Sequence, residues 1–170
     1  MSIQVRKLTE HDAEIFFKLR LESLQDSPSS YLSSYSEEVE MGKEFYIKNI
    51  FKNPSDLNVI LGAFSGDALI GIIGIYQGTR AKVSHQSVIW GMYINPGLRQ
   101  KGIGKSLMAE VILHAKSKMS CQLIKISVEE NNFPAINLYK SFDFETWGIE
   151  PMALKLGEKL HNEIHMMLRI

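Results

Sequence analysis

The chain has 170 residues, 45 % of them hydrophobic and 22 % charged, with 19 basic side chains against 19 acidic ones. That mix suits one globular domain over 1–170 with a sizeable core, and the neutral balance excludes a global pull toward nucleic acid or an anionic membrane. Cys121 is the only cysteine, MSIQVRKLTEHD lacks a signal peptide's apolar core, and no apolar run nears the ~18–20 residues of a membrane span, so a cytoplasmic protein without an internal disulfide is expected.

IQVRKL (3–8) alternates apolar and polar residues and predicts a half-buried strand. Thr9 and Asp12 have the spacing of a capping box, and a helix is predicted over 11–24. QDSPSSYLSS (25–34) reads as a serine-rich loop. Ser34 with Glu37 is placed to cap a second helix over 36–52, which NPSD (53–56) stops. LNVILGAF (57–64) and ALIGIIGIYQG (68–78) are β-branched runs joined by SGD, a hairpin signal. SVIWGMYI (87–94) is a third such run, closed by Asn95-Pro96-Gly97. Ile103, Leu107, Val111 and Ala115 recur at a spacing of four, one buried helical face. LIKISV (123–128) alternates again, NNFPAINLYKSF (131–142) predicts a helix with Pro134 in its first turn, and FETWGI (144–149) a short strand. Ile164, Met166, Leu168 and Ile170 alternate in a final strand. The predicted order is β-α-α-β-β-β-α-β-α-β-β. Its strand–helix–strand unit implies one parallel pair among antiparallel hairpins.

RQKGIGKS (99–106) stands at the strand-to-helix junction of that unit and suggests a phosphate cradle. A nucleoside-triphosphate loop needs G-x-x-x-x-G-K-[ST], but its first glycine would fall on Arg99. The dinucleotide pattern G-x-G-x-x-G fails at Leu107. What remains is Arg99-Gln100-Lys101-Gly102-Ile103-Gly104, which matches the [RQ]-x-x-G-x-[GA] signature of the GNAT N-acetyltransferase superfamily. The physical sense is direct: glycines let the backbone approach a pyrophosphate, and unpaired N–H groups at the helix start point at its oxygens. The context agrees. Ile94-Asn95-Pro96 precedes the motif, and Asn132-Phe133-Pro134-Ala135-Ile136-Asn137-Leu138-Tyr139-Lys140-Ser141-Phe142-Asp143-Phe144 resembles the family's N-x-x-A-x-x-L-Y-x-x-x-G-F. Asp143 replaces the usual glycine and Phe142 the common leucine.

The resemblance implies an α/β (α+β) fold: a mixed, mostly antiparallel sheet of six to seven strands, about four helices, and two parallel central strands that splay apart. It implies acetyl-CoA as co-substrate, an amine as acceptor, and acyl transfer without a metal. By the resemblance, backbone groups of Met92, Tyr93 and Ile94 pair with the pantetheine arm. Arg99, Gln100, Lys101, Gly102, Ile103, Gly104 and Lys105 hold the pyrophosphate. Asn132 contacts the coenzyme near its thiol, and Tyr139 protonates the departing sulfur. Periodicity alone makes Tyr139 a core residue, since it shares a helical face with Ala135 and Phe142. A homodimer is a further expectation, because the superfamily often forms one; nucleic acid and membrane are not expected partners. The alternative function is a non-catalytic acyl-CoA-binding or regulatory module on the same fold.

The proton acceptor stays open between Glu129, His85 and water. His161 and His165 lie ~13 Å apart if both are in a strand, too far to share a metal, and read as surface residues. Loop 25–36, the second helix and turn 78–86 are expected to select the acceptor, with Tyr31, Tyr35 and Trp90 as candidate walls. No cluster of acids in the sequence calls for a polyamine. A small primary amine and a protein N-terminus both remain open.

Overall fold

A computed structural model describes residues 3–53 and 55–170; Pro54, within the expected NPSD stop, lies outside them. Strand β1 (Gln4–Lys7) leads through a short 3₁₀ turn into helix α1 (Ala13–Asp26). The expected box forms at that entry: the Thr9 N–H donates to Asp12 Oδ2 at 2.8 Å. Arg6 clamps the same carboxylate with bonds of 2.8 and 2.7 Å. Helix α2 (Tyr35–Tyr46) starts at the Ser34–Glu37 box. The single helix expected over 36–52 is broken, because Gly42 takes φ +73° and the chain continues as a π-helical turn, Ile47–Phe51.

Strands β2 (Asn58–Ser65), β3 (Ala68–Gln77) and β4 (Gln86–Ile94) form an antiparallel meander. Helix α3 (Ile103–Lys118) follows the glycines and carries the chain to β5 (Leu123–Glu129), which lies parallel to β4. Helix α4 (Phe133–Lys140) is shorter at both ends than expected. Asp143, where the family signature has glycine, takes φ +64°, a conformation that aspartate tolerates better than most residues. The chain closes with a long hairpin, β6 (Glu145–Leu156) and β7 (Lys159–Arg169). Both strands outrun the expected 144–149 and 164–170. Most of β6 is exposed, so its outer half lacks the apolar alternation that marks a strand, and Pro151 reads as a stop.

The seven strands lie in the order β1-β2-β3-β4-β5-β7-β6, with β4–β5 the parallel pair. Each face of the sheet carries a core. On one face Leu107, Met108, Val111 and Ala115 of α3 are fully buried against Val59, Ile73, Ile75 and Ile124. Each such Leu or Val contributes about 1.5–3 kcal/mol. On the other, Phe16 and Leu19 of α1 pack with Tyr46, Ile60 and Ile72. Arg20 of α1 and Glu38 of α2 form a buried ion pair at 2.8 Å, and the Tyr46 hydroxyl donates to the other Glu38 oxygen at 2.6 Å. Helix α1 packs on β3 and on α2, while beyond β4 the short 3₁₀ turn Pro28–Ser30 lies against β5 and β6.

Strands β4 and β5 pair only through Gln86, Ser87 and Val88 against Leu123, Ile124 and Lys125. β4 runs on to Ile94 and β5 to Glu129, so the strands part and leave a wedge. A bulge bends β4 there. Gly91 and Met92 together face the single residue Ile73, and Gly91 takes φ +63°.

Candidate active site

The wedge is the mouth of a cleft of about 600 Å³. Its wall unites segments far apart in the chain. At one end stand Arg99, Gln100, Gly102, Gly104 and Lys105; along the middle run Met92, Tyr93 and Ile94; at the other end are Glu129, Asn132 and Tyr139. Tyr31 and Trp90 join that last group, as expected, whereas Tyr35 is exposed outside it. Two expected pyrophosphate residues are not on the wall. The Ile103 side chain is buried in the core, and Lys101 Nζ donates to the Gly97 carbonyl at 3.4 Å.

The glycine loop owes its shape to two left-handed residues, Gln100 at φ +64° and Gly102 at φ +82°. A Cβ on Gly102 would meet nothing within 4 Å, so conformation rather than space demands glycine there and the backbone lies open to the cleft. Gly104 answers a packing need: a Cβ would stand 3.1–3.3 Å from Ile94, Leu138 and Met92. The Ser106 N–H bonds the Gly102 carbonyl at 3.0 Å, which leaves the N–H groups before it without a helical partner. Arg99 is exposed at the rim of the cleft. Its Nε donates to the Ile94 carbonyl at 3.1 Å, a terminal nitrogen pairs with Asp26, and its guanidinium lies over the Tyr93 ring. The Arg99 hydrogen bond holds the Asp26 carboxyl below the usual carboxylate range.

At the far end Tyr139 is 5 % exposed. Burial pushes its phenol well above the ordinary value, helped by nearby Tyr31, so it holds its proton. Its hydroxyl donates to the Met92 thioether at 3.9 Å, a weak bond. The Tyr31 hydroxyl donates to the Met92 carbonyl at 3.1 Å, and the Tyr31 ring stacks on Arg20. Asn132 caps α4, its Oδ1 accepting from the Ala135 N–H at 3.3 Å. Of the candidate proton acceptors, Glu129 is on the cleft wall; His85 is elsewhere, hydrogen-bonded to Gln86.

Two expectations need correction. His161 is not a surface residue. It is buried, and its Nδ1 lies 3.2 Å from Glu129 Oε1. The acids also cluster once the strands are paired. Glu129 of β5 faces Glu163 of β7, which faces Glu150 of β6. His165 Nε2 bonds Glu150 at 2.9 Å, and the donor atoms of Glu150, Glu163 and His165 all lie within 4.8 Å of one another. The two-residue period of β7 already put His161, Glu163 and His165 on one face. Only the register between strands, which no local pattern reveals, lines up Glu129 and Glu150 with them.

Two parallel strands that part beside a glycine-started helix make a cleft that a helix start lines. The chain belongs to the acetyltransferase (GNAT) family, whose family model matches residues 20–144. It is 26 % identical over 147 residues to a spermine/spermidine N(1)-acetyltransferase of Bacillus subtilis strain 168, covering 85 % of this chain and 89 % of that one. Its fold matches a GNAT acetyltransferase of Streptococcus pneumoniae with a TM-score of 0.86 at 20 % identity, over 99 % of this chain and 100 % of the other. A Salmonella typhimurium protein described as an acetyltransferase, solved with its cofactor acetyl-CoA, matches with a TM-score of 0.78 at 13 % identity, over 99 % and 94 %. Among the described residues no helix is long and apolar enough to cross a membrane.

Proposed function

We propose that the chain is an N-acetyltransferase that moves an acetyl group from acetyl-CoA to a primary amine by direct attack. The observation that carries this reading is the single cleft that runs from an open glycine loop at a helix start to a buried tyrosine and a buried carboxylate. The residues present fit the coenzyme: Gly102 leaves the backbone bare toward the cleft, and the start of α3 offers its N–H groups to a pyrophosphate. Gln100, Lys101, Gly102, Ile103, Gly104 and Lys105 would hold that group, with Lys101 and Ile103 contributing backbone only. Arg99 joins them if it exchanges Asp26 for phosphate oxygens. Met92, Tyr93 and Ile94 would flank the pantetheine arm, and Asn132 its thiol end. The bound coenzyme supplies an acyl carbon already activated as a thioester, so no covalent enzyme intermediate is required.

Tyr139 is the hydrogen-bond donor and acid for the departing sulfur. Its raised pKa keeps the proton in place until a thiolate forms beside it. A hydroxyl spent only on a thioether gives up little to bind another sulfur. Among small amines a polyamine is favoured, both by the activity for which the Bacillus relative is named and by the aligned Glu129, Glu163 and Glu150.

Release of CoA thiol from acetyl-CoA, measured with spermidine, amino acids and an N-terminal peptide as acceptors, tests the reading. Turnover with at least one amine is expected, and Tyr139→Phe should lower kcat by roughly 10²–10⁴-fold while CoA binding persists. CoA binding without turnover on any amine would instead make the chain an acyl-CoA-binding module. Unchanged turnover in the variant would remove Tyr139 from its role.

A further inference from the structure

Glu129 ends β5 where that strand has left β4, on the cleft wall yet only 7 % exposed. Its oxygens are unequally occupied. Oε1 accepts from Asn131 Nδ2 at 2.9 Å and faces His161 Nδ1 at 3.2 Å, whereas Oε2 accepts only the Asn131 N–H at 3.0 Å. A carboxylate oxygen has two lone pairs, so Oε1 is filled and Oε2 keeps one for a ligand. An ionised carboxylate only accepts, so the His161 ring carries its proton on Nδ1. Asn131 and His161 thus fix the carboxylate from behind, from two different elements.

A good general base is poised near the working pH. Glu129 is built the other way. Burial alone would raise its pKa, but the bonds from Asn131 and His161 outweigh burial and hold it below the usual carboxylate value. Such a group is a weak proton acceptor and a standing negative charge. An alkyl amine with a pKa near ~10.4 reaches the cleft as an ammonium ion. Glu163 and Glu150, in register beyond Glu129, extend the negative potential across the β5–β7–β6 end of the sheet.

We propose that Glu129 is the anchor that draws the acceptor's ammonium group into the cleft, and that Asn131 and His161 are positioning residues that aim it. This rests on the N-acetyltransferase reading above. Glu129 stays ionised throughout, and the ammonium's surplus proton passes to water.

The test compares spermidine with an arylamine, an acceptor uncharged at neutral pH, in steady-state kinetics of the whole chain. Glu129→Gln keeps the shape and removes the charge. It should raise KM for spermidine by about tenfold or more, a factor worth about 1.4 kcal/mol. The kcat for spermidine and the KM for the arylamine should change far less. A collapse of kcat for spermidine at unchanged KM would make Glu129 the proton acceptor and overturn the proposal. His161→Ala should shift KM in the same direction, and His161→Gln, which keeps an N–H donor, should restore it; an unmoved KM in His161→Ala would overturn the positioning role. CoA titration of each variant verifies folding. Titration of spermidine into the protein–CoA complex reads the anchor without turnover. Binding weakened in Glu129→Gln supports the anchor even if no acetyl transfer occurs, and equal binding, or none to the unmodified chain, overturns it.

Discussion

Gly102 and Gly104 are two residues apart and exist for different reasons. The first is held by its φ of +82° in open space, the second by three side chains that would crowd a methyl group at 3.1–3.3 Å. Gly102→Ala should therefore fold with no clash and lose about 1–2 kcal/mol of stability from the left-handed backbone alone. Urea unfolding with an unchanged m-value checks this, and a loss near zero would mean that the loop relaxes. Both glycines were legible in the sequence as a motif, as were Tyr139 and Asn132. The distinction between them was not, because the motif records residue type and not the neighbours that Ile94, Met92 and Leu138 become. Glu129 was visible only as one of three proton acceptors. Its partner His161 lies on the last strand, and nothing local connects the two.

At the scale of elements, the caps carried the most information. The Thr9–Asp12 and Ser34–Glu37 spacings marked both helix entries, since a capping box is a contact within four residues. Asp12 also ties α1 to β1 through Arg6, and the Arg6 hydrogen bond is the largest reason its carboxyl is held down to about 2. A depressed folded pKa gives stability that is present above the unfolded value of ~3.9 and disappears as pH falls toward 2. With Arg6 partly exposed, the contribution is about 1 kcal/mol. Asp12→Asn should thus be less stable than the parent at pH 7, with the gap narrowing as pH falls from 4 to 2; parallel urea midpoints across that range would refute this. Element lengths were harder to read. Gly42 broke the second helix, and the β6–β7 hairpin ran on through residues whose exposure erased the alternating pattern.

For the whole molecule, the decisive event is the separation of β4 from β5, which opens the cleft with Tyr31 and Tyr139 on its wall, while Tyr46 is buried in the core under α1 and α2. Burial pushes Tyr31 up to about 12 and raises Tyr46 and Tyr139 as well. Each is neutral in the fold, while in the unfolded chain tyrosine ionises near ~10. Between those values the folded state holds more protons than the unfolded one, so stability must fall as pH rises above ~10. Tyrosinate absorbance should show these three ionising together with cooperative unfolding. Their titration in the intact fold near the ordinary value would contradict the burial.

By itself the sequence determined what depends on short range: the caps, the strand and helix periods, the glycine loop and the Asn132–Tyr139 helix, and through these the family. The sheet order β5-β7-β6, the bulge at Gly91–Met92, the pairing of Arg99 with Asp26 and the burial of His161 against Glu129 were decided by tertiary structure alone. The reason is physical. Periodicity says which face of a strand is buried, but register and strand order arise from packing between segments far apart in the chain, and the acceptor end of this cleft is built almost entirely from such meetings.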